Sequence, residues 1–207
     1  MTMNDDDVWM SYRFMRGDAL AFTNEMSEAD EQSYAEMYRR NMRGQAGGPE
    51  EFPKAVWAKY PDAPVKGTMP DFFNASARIV SHRVADVLAT VDIGASELYP
   101  VTVLQPDRET RVPGTYFCIA FRERKDTFVP EASERVQRDN PRQWAPPLAA
   151  KDGEMALRAT ARSGVDLWME EHLRSCFFVS GRLARKLKEA GLRRWFDLRR
   201  CRIVELH

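Results

Sequence analysis

Cysteine and histidine are scarce in this chain, long apolar runs are missing, and neither sign of charge prevails. The 207 residues hold only three cysteines and three histidines. Cys118, Cys176 and Cys201 are odd in number and far apart. That excludes a closed disulfide framework and suits reduced thiols in a cytoplasm. No apolar stretch approaches the ~20 residues that cross a bilayer, so no membrane role is expected. The opening MTMNDDDVWM is acidic, whereas a secretory signal needs a basic start and an apolar run. The protein is therefore expected to be cytoplasmic. Lys plus Arg and Asp plus Glu both total 31, so no global field draws the chain to nucleic acid or membrane.

Catalytic signatures are also missing. There is no Gly-x-Ser-x-Gly elbow, no phosphate loop ending in Gly-Lys-Ser/Thr, and no Gly-x-Gly-x-x-Gly after a strand. His172 and Cys176 are spaced i, i+4, with Cys201 as a distant third. Structural zinc sites use tighter pairs, so neither a metal nor a cofactor is expected. Asp5, Asp6 and Asp7 read as a solvated run beside the terminus rather than a cation site.

What the chain does have is a core. Apolar residues make up 43% of it, with 11 Phe and 5 Trp. This is globular composition at a length that suits one domain over residues 1–207. The expected class is α+β, with a mixed or antiparallel sheet and Ser-capped helices. Residues 1–70 form an acidic, loop-rich part and residues 71–207 the regular core. Val8 to Met15 reads as a strand and Ser27 to Arg43 as one helix capped by Ser27. Gly44 to Pro70, rich in Gly and Pro, reads as a long surface connection broken near Ala55 to Lys59. Leu98 to Leu104 and Tyr116 to Phe121 read as a hairpin, and Asp139 to Gly153 as irregular. Met155 to Arg162 and Phe177 to Val179 read as strands, and Val165 to Leu173 as an apolar group around Trp168. A helix from Gly181 ends at Gly191, and Arg202 to Leu206 closes the chain as a strand.

Two segments repeat. Ile79 to Leu88 and Phe178 to Leu187 share Val80/Val179, Ser81/Ser180, Arg83/Arg182, Ala85/Ala184 and Leu88/Leu187. Each reads as a strand delivering a serine that caps the next helix, giving two similar strand–helix–strand units. Arg83 and Arg182 fall in the first helical turn, where the dipole disfavours a cation, so a carboxylate or carbonyl partner is expected for both.

Charge is segregated along the chain. The first segment is acidic, and Asp5, Asp6, Asp7, Glu25, Glu28, Asp30, Glu31 and Glu36 are its candidate docking residues. Arg182 to Arg202 is basic. Mutual neutralisation of the two ends is the plainer alternative. Trp195 and Phe196 beside those arginines read as core aromatics, which argues against a nucleic-acid partner.

The C-terminal stretch resembles a bacterial immunity-protein family of polymorphic toxin systems, the eleventh such family. The matching positions are Asp166, Trp168, Leu173, Phe177, Phe178, Ser180, Leu183, Leu187, Gly191 and Leu192. RIVSHRVADVLATVDIGASELYPVTV and GTYFCIAF resemble the family's centre. The resemblance implies a non-enzymatic α+β protein that binds and neutralises a cognate protein toxin. It carries over no toxin contact, because the matching positions are core and cap residues. The alternatives are an enzyme or metal-dependent protein built from dispersed carboxylates, arginines and His172, and a nucleic-acid-binding regulator using Arg193 to Arg202.

Overall fold

The computed structural model describes residues 4–11, 21–75, 77–147, 149–173 and 176–205. In chain order the first half holds β1 (Val8–Ser11), β2 (Phe22–Asn24), α1 (Glu25–Ala29), α2 (Glu31–Asn41), β3 (Ala55–Ala58), β4 (Phe72–Asn74), β5 (Arg78–Ser81), α3 (His82–Leu88) and β6 (Glu97–Val103). Then come β7 (Tyr116–Ala120), β8 (Arg124–Lys125), β9 (Gln137–Asn140), β10 (Gln143–Ala145), β11 (Ala156–Arg158) and β12 (Leu167–Glu170). The last part is β13 (Phe177–Ser180), α4 (Gly181–Glu189), α5 (Arg193–Phe196), β14 (Leu198–Arg200) and β15 (Arg202–Val204).

These elements make an α+β fold around two mixed sheets. One runs β14-β1-β13-β12-β8, the other β2-β3-β6-β7-β5-β4. Most pairings are antiparallel, while β3–β6 and β8–β12 are parallel. Two small ribbons, β9–β10 and the parallel β11–β15, lie outside the sheets.

Strand alternation sorts the side chains into three cores. Trp9, Leu167, Met169, Phe177 and Val179 leave one face of the five-stranded sheet and meet Phe72, Val80, Ile119 and Phe121 from the six-stranded sheet. The inner stripes of both repeat helices, Val84 and Leu88 with Leu183, Ala184 and Leu187, enter the same cluster. Val8, Met10, Trp168 and Phe178 point to the other face, where Phe128, Met155 and Leu157 cover them. Phe73, Ile79, Cys118 and Val103 fill a third cluster behind the six-stranded sheet. Strands buried on both faces carry continuous apolar runs, which is why FFVS and LWM read so strongly.

Several expectations need correction. The helix expected from Ser27 to Arg43 is two helices. Asp30 breaks it, with an extended backbone (φ −154°) and a carboxylate that accepts from the Gln32 and Ser33 N–H groups at 3.1 and 3.0 Å. Asn24, not Ser27, caps α1, accepting from the Ser27 N–H at 2.9 Å. The supposed surface connection contains β3, whose Val56, Trp57 and Ala58 are buried inside the six-stranded sheet. The irregular stretch after Asp139 contains β10, paired with β9. The expected strand Met155 to Arg162 stops at Arg158 and continues as a 3-10 turn. In the first expected strand, Val8–Ser11 are extended; its remaining residues lie outside the described ones, as do Leu206 and His207.

Candidate functional site

The repeated motif builds a pair of clasps. In the first unit the Ser81 hydroxyl donates to Asp71 Oδ1 (2.6 Å) and Arg83 Nη1 to Asp71 Oδ2 (2.9 Å). In the second, Ser180 Oγ and Arg182 Nε donate to Asp166 Oδ1, the latter at 3.1 Å, while Arg182 Nη2 reaches Oδ2. Each aspartate stands just before the strand that pairs with its serine's strand, β4 beside β5 and β12 beside β13. Both first-turn arginines thus have the carboxylate partner that their position requires.

The clasps also cross between units. Arg83 Nη2 donates to the carbonyl of Ala190, the C-cap of α4, at 3.0 Å, where the helix dipole favours a cation. Asp92, just past α3, exchanges two bonds with Asp166. Its N–H donates to Asp166 Oδ2 (2.9 Å), and its carbonyl accepts from the Asp166 N–H (2.6 Å). The start of each helix is therefore tied to the end of the other. Burial pushes the Asp166 carboxyl up, but Arg182, Ser180 and the Asp92 N–H outweigh it and hold it below its ordinary value.

The serines differ. Ser180 accepts from the Leu183 N–H (3.1 Å) as an N-cap should, whereas Ser81 makes no side-chain cap bond and serves only Asp71. Gly181 stands where the first unit has His82. A Cβ there would lie 1.9 Å from the Asn4 carbonyl, so glycine is what lets the N-terminal segment cross the start of α4. Gly191 (φ +71°) closes that helix, with its N–H on the Lys188 carbonyl and the Leu192 N–H on Leu187. Trp168 is buried, stacked on Phe178 with Lys125 Nζ 3.5 Å over its ring.

The structure divides the acidic candidates between two places. Asp5, Asp6 and Asp7 lie beside α4, where Asp5 pairs with Arg185 at 2.9 Å. Here the acidic and basic ends do neutralise one another. Glu25, Glu28, Asp30, Glu31 and Glu36 lie on α1 and α2 with their linker. Glu25 accepts from the backbone of Lys54 and Ala55, Glu28 pairs with Arg108 (3.0 Å), Asp30 caps α2, and Glu36 pairs with Arg39 (3.0 Å). Asp7 accepts from the Asn4 N–H. Asp6 and Glu31 are exposed, and their carboxylates bond to none of the described residues.

In the basic segment Phe196 stacks on Phe72 (4.9 Å between centroids) inside the first core, and Trp195 packs against that core. These aromatics are structural. His172, Cys176 and Cys201 do not gather around a metal position. Cys176 and Cys201 are in the second core, while His172 Nδ1 donates to the Arg142 carbonyl (2.9 Å). Burial pushes the Cys118 and Cys176 thiols up to about 12 and the Cys201 thiol up as well, so all three behave as small apolar groups. Among the described residues no group of His, Cys, Asp and Glu is arranged to hold a metal ion, and no helix is long and apolar enough to cross a membrane.

A concave site absent from the sequence reading opens where α2 ends. Arg43 and Gln45 meet Arg124 of β8, the β9–β10 turn with Asn140, Arg142 and Gln143, and Glu171 and His172 after β12, around about 310 Å³. Gly44 (φ +69°) permits this approach, since a Cβ there would lie 2.8 Å from the Glu123 carbonyl. The hairpin wall is pinned by the Trp144 N–H on the His172 carbonyl (2.8 Å). Asn140 shapes its turn by accepting from the Arg142 N–H (2.9 Å). Glu171 pairs with Arg124 at 3.0 Å. The guanidinium groups of Arg43 and Arg142 have no ion-pair partner among the described residues. No short motif announces the site, because its arginines come from three separate segments.

Two clasped sheets carrying a polar surface cleft define a rigid scaffold with an open exterior. The chain matches the model of an immunity protein family (Imm11) over residues 10–198, and it belongs to that family. No curated protein matches its sequence.

Proposed function

We propose that this protein protects the cell that makes it by binding a cognate protein toxin, and that it does so without catalysis. The family match over residues 10–198 carries this reading. The clasps and the three cores support it: the repeated residues are spent on rigidity, and pre-organised surfaces bind with little ordering cost. Asp6 and Glu31, whose carboxylates bond to none of the described residues, supply charge at the surface for steering an incoming partner.

Co-expression with the product of the neighbouring toxin gene tests the reading. Growth is expected to be restored, and the two proteins to purify together. Cell death despite full expression, with no complex recovered, would overturn it.

One observation favours a second reading. The cleft brings His172 and Glu171 next to three arginines, which is the kind of convergence an enzyme uses. Yet Glu171 is ion-paired and the His172 ring is held by the Arg142 carbonyl and faces Asp126 at 3.6 Å, so neither stands free as a base. Titrating purified toxin separates the two. Protection by binding ends at one equivalent, whereas catalytic protection would be complete well below it.

A further inference from the structure

We propose that the cleft at the end of α2 is a docking site for a carboxylate-rich loop of a protein partner, with Arg43 and Arg142 as the groups that hold it. The inference names the chemistry of a contact within the immunity reading and rests on that reading.

Several cations elsewhere in the fold are already engaged. Arg83, Arg182 and Arg185 bind aspartates, and Arg108 binds Glu28. Arg43 and Arg142 line one concavity from two separate segments, and no carboxylate among the described residues answers them. Arg124 lines the same concavity, neutralised by Glu171 at 3.0 Å. A guanidinium offers a planar fork of donors that fits a carboxylate at two points. Two such forks with the amides of Gln45, Asn140 and Gln143 in the same lining make a receptor for one or two acidic side chains.

The walls are fixed in advance. Gly44 sets the approach of one arginine, and the Asn140 turn with the Trp144–His172 bond sets the other. The surroundings select among anions. Glu171 lines the cleft, and Asp139 and Glu170 line the groove that adjoins it. Those carboxylates would repel the continuous charge of a nucleic-acid backbone. A protein loop presents its charges at isolated points and escapes that penalty. A volume of about 310 Å³ also suits a few side chains.

The test uses the full chain and a fluorescein-labelled Gly-Glu-Gly-Ser-Glu-Gly peptide, with anisotropy read at low and at physiological salt. The peptide is expected to bind, to weaken as salt screens the contact, and to lose roughly tenfold or more in affinity in the double variant Arg43→Ala/Arg142→Ala. Both positions are exposed, so the variant should keep the wild-type thermal midpoint. No binding, or equal binding by the double variant, would overturn the proposal. So would tighter binding of a hexathymidylate through the same two arginines, which would assign the cleft to nucleic acid. In the growth assay the double variant is expected to protect less than the wild type, and equal protection would also count against the docking site. A wild-type chain that fails to protect strikes the immunity reading instead, and the anisotropy result stands apart from it.

Discussion

Asp71 and Asp166 each receive a serine hydroxyl and an arginine, and that shared chemistry explains why Ser and Arg recur together in the two units. The first-turn position of the arginines calls for partners but does not by itself name Asp71 as one. Asp166 stands directly before β12. The available signal was an aspartate immediately before an apolar strand in both units, DFF and DLW. Replacing Asp166 by Asn keeps the shape and removes the charge. It is expected to cost about 2 kcal/mol in urea unfolding, the scale of charged hydrogen bonds lost in a mostly buried place. Since the folded-state carboxyl lies below its ordinary value of 3.8, its stabilisation is full above that pH and is lost as the pH falls through the folded value. An acid titration of stability should therefore be flatter below pH 3.8 in Asp166→Asn than in the wild type. Gly181→Ala should also destabilise, by about 1–3 kcal/mol, because the new methyl must push the Asn4 carbonyl away.

At the scale of elements, the serines of the two units offer a comparison within one molecule. Ser180 both caps α4 and serves Asp166, while Ser81 only serves Asp71. Ser180→Ala is expected to cost about 1 kcal/mol or more, and Ser81→Ala less, both measured by chemical denaturation. Equal costs would mean that the cap bond contributes nothing. Elements with period-true apolar patterns were legible in the sequence: the β6–β7 hairpin, β5 with α3, and β13 with α4. The misread ones share a cause. At α1 and α2 a polar cap residue interrupts a helical pattern, and Asp30 serves both helices at once. At β3 four residues flanked by Gly and Pro carry too little pattern, and the neighbours β2 and β6, distant in sequence, decide their fate. The short helix α5 is hidden because Trp195 and Phe196 suit a buried strand equally well.

For the molecule as a whole, the decisive surface is the one between the sheets. Phe72 meets Phe196 at 4.9 Å and Phe177 at 5.7 Å, joining residues from the two halves of the sequence. Phe72→Ala is expected to cost about 3–5 kcal/mol and to lower the stability of both sheets in one transition, followed by circular dichroism and tryptophan fluorescence together. Two separate transitions would show that the sheets unfold independently. The candidate cleft was not legible at this scale, because Arg43, Arg124 and Arg142 become neighbours only through long-range packing. Acidic runs stand out in a linear text, yet most of those carboxylates, though exposed, are held by backbone and arginine partners.

The crossed clasps have a consequence for anyone who would shorten this protein. Cutting between the two repeated units strands Phe72 on one fragment and Phe177 with Phe196 on the other, so that Phe72 loses both aromatic neighbours and the faces they covered meet water. Neither piece then keeps the far terminus of the helix it was meant to brace. Half-length expression should yield sticky, insoluble material, and mixing the two halves as they are made should recover the soluble form.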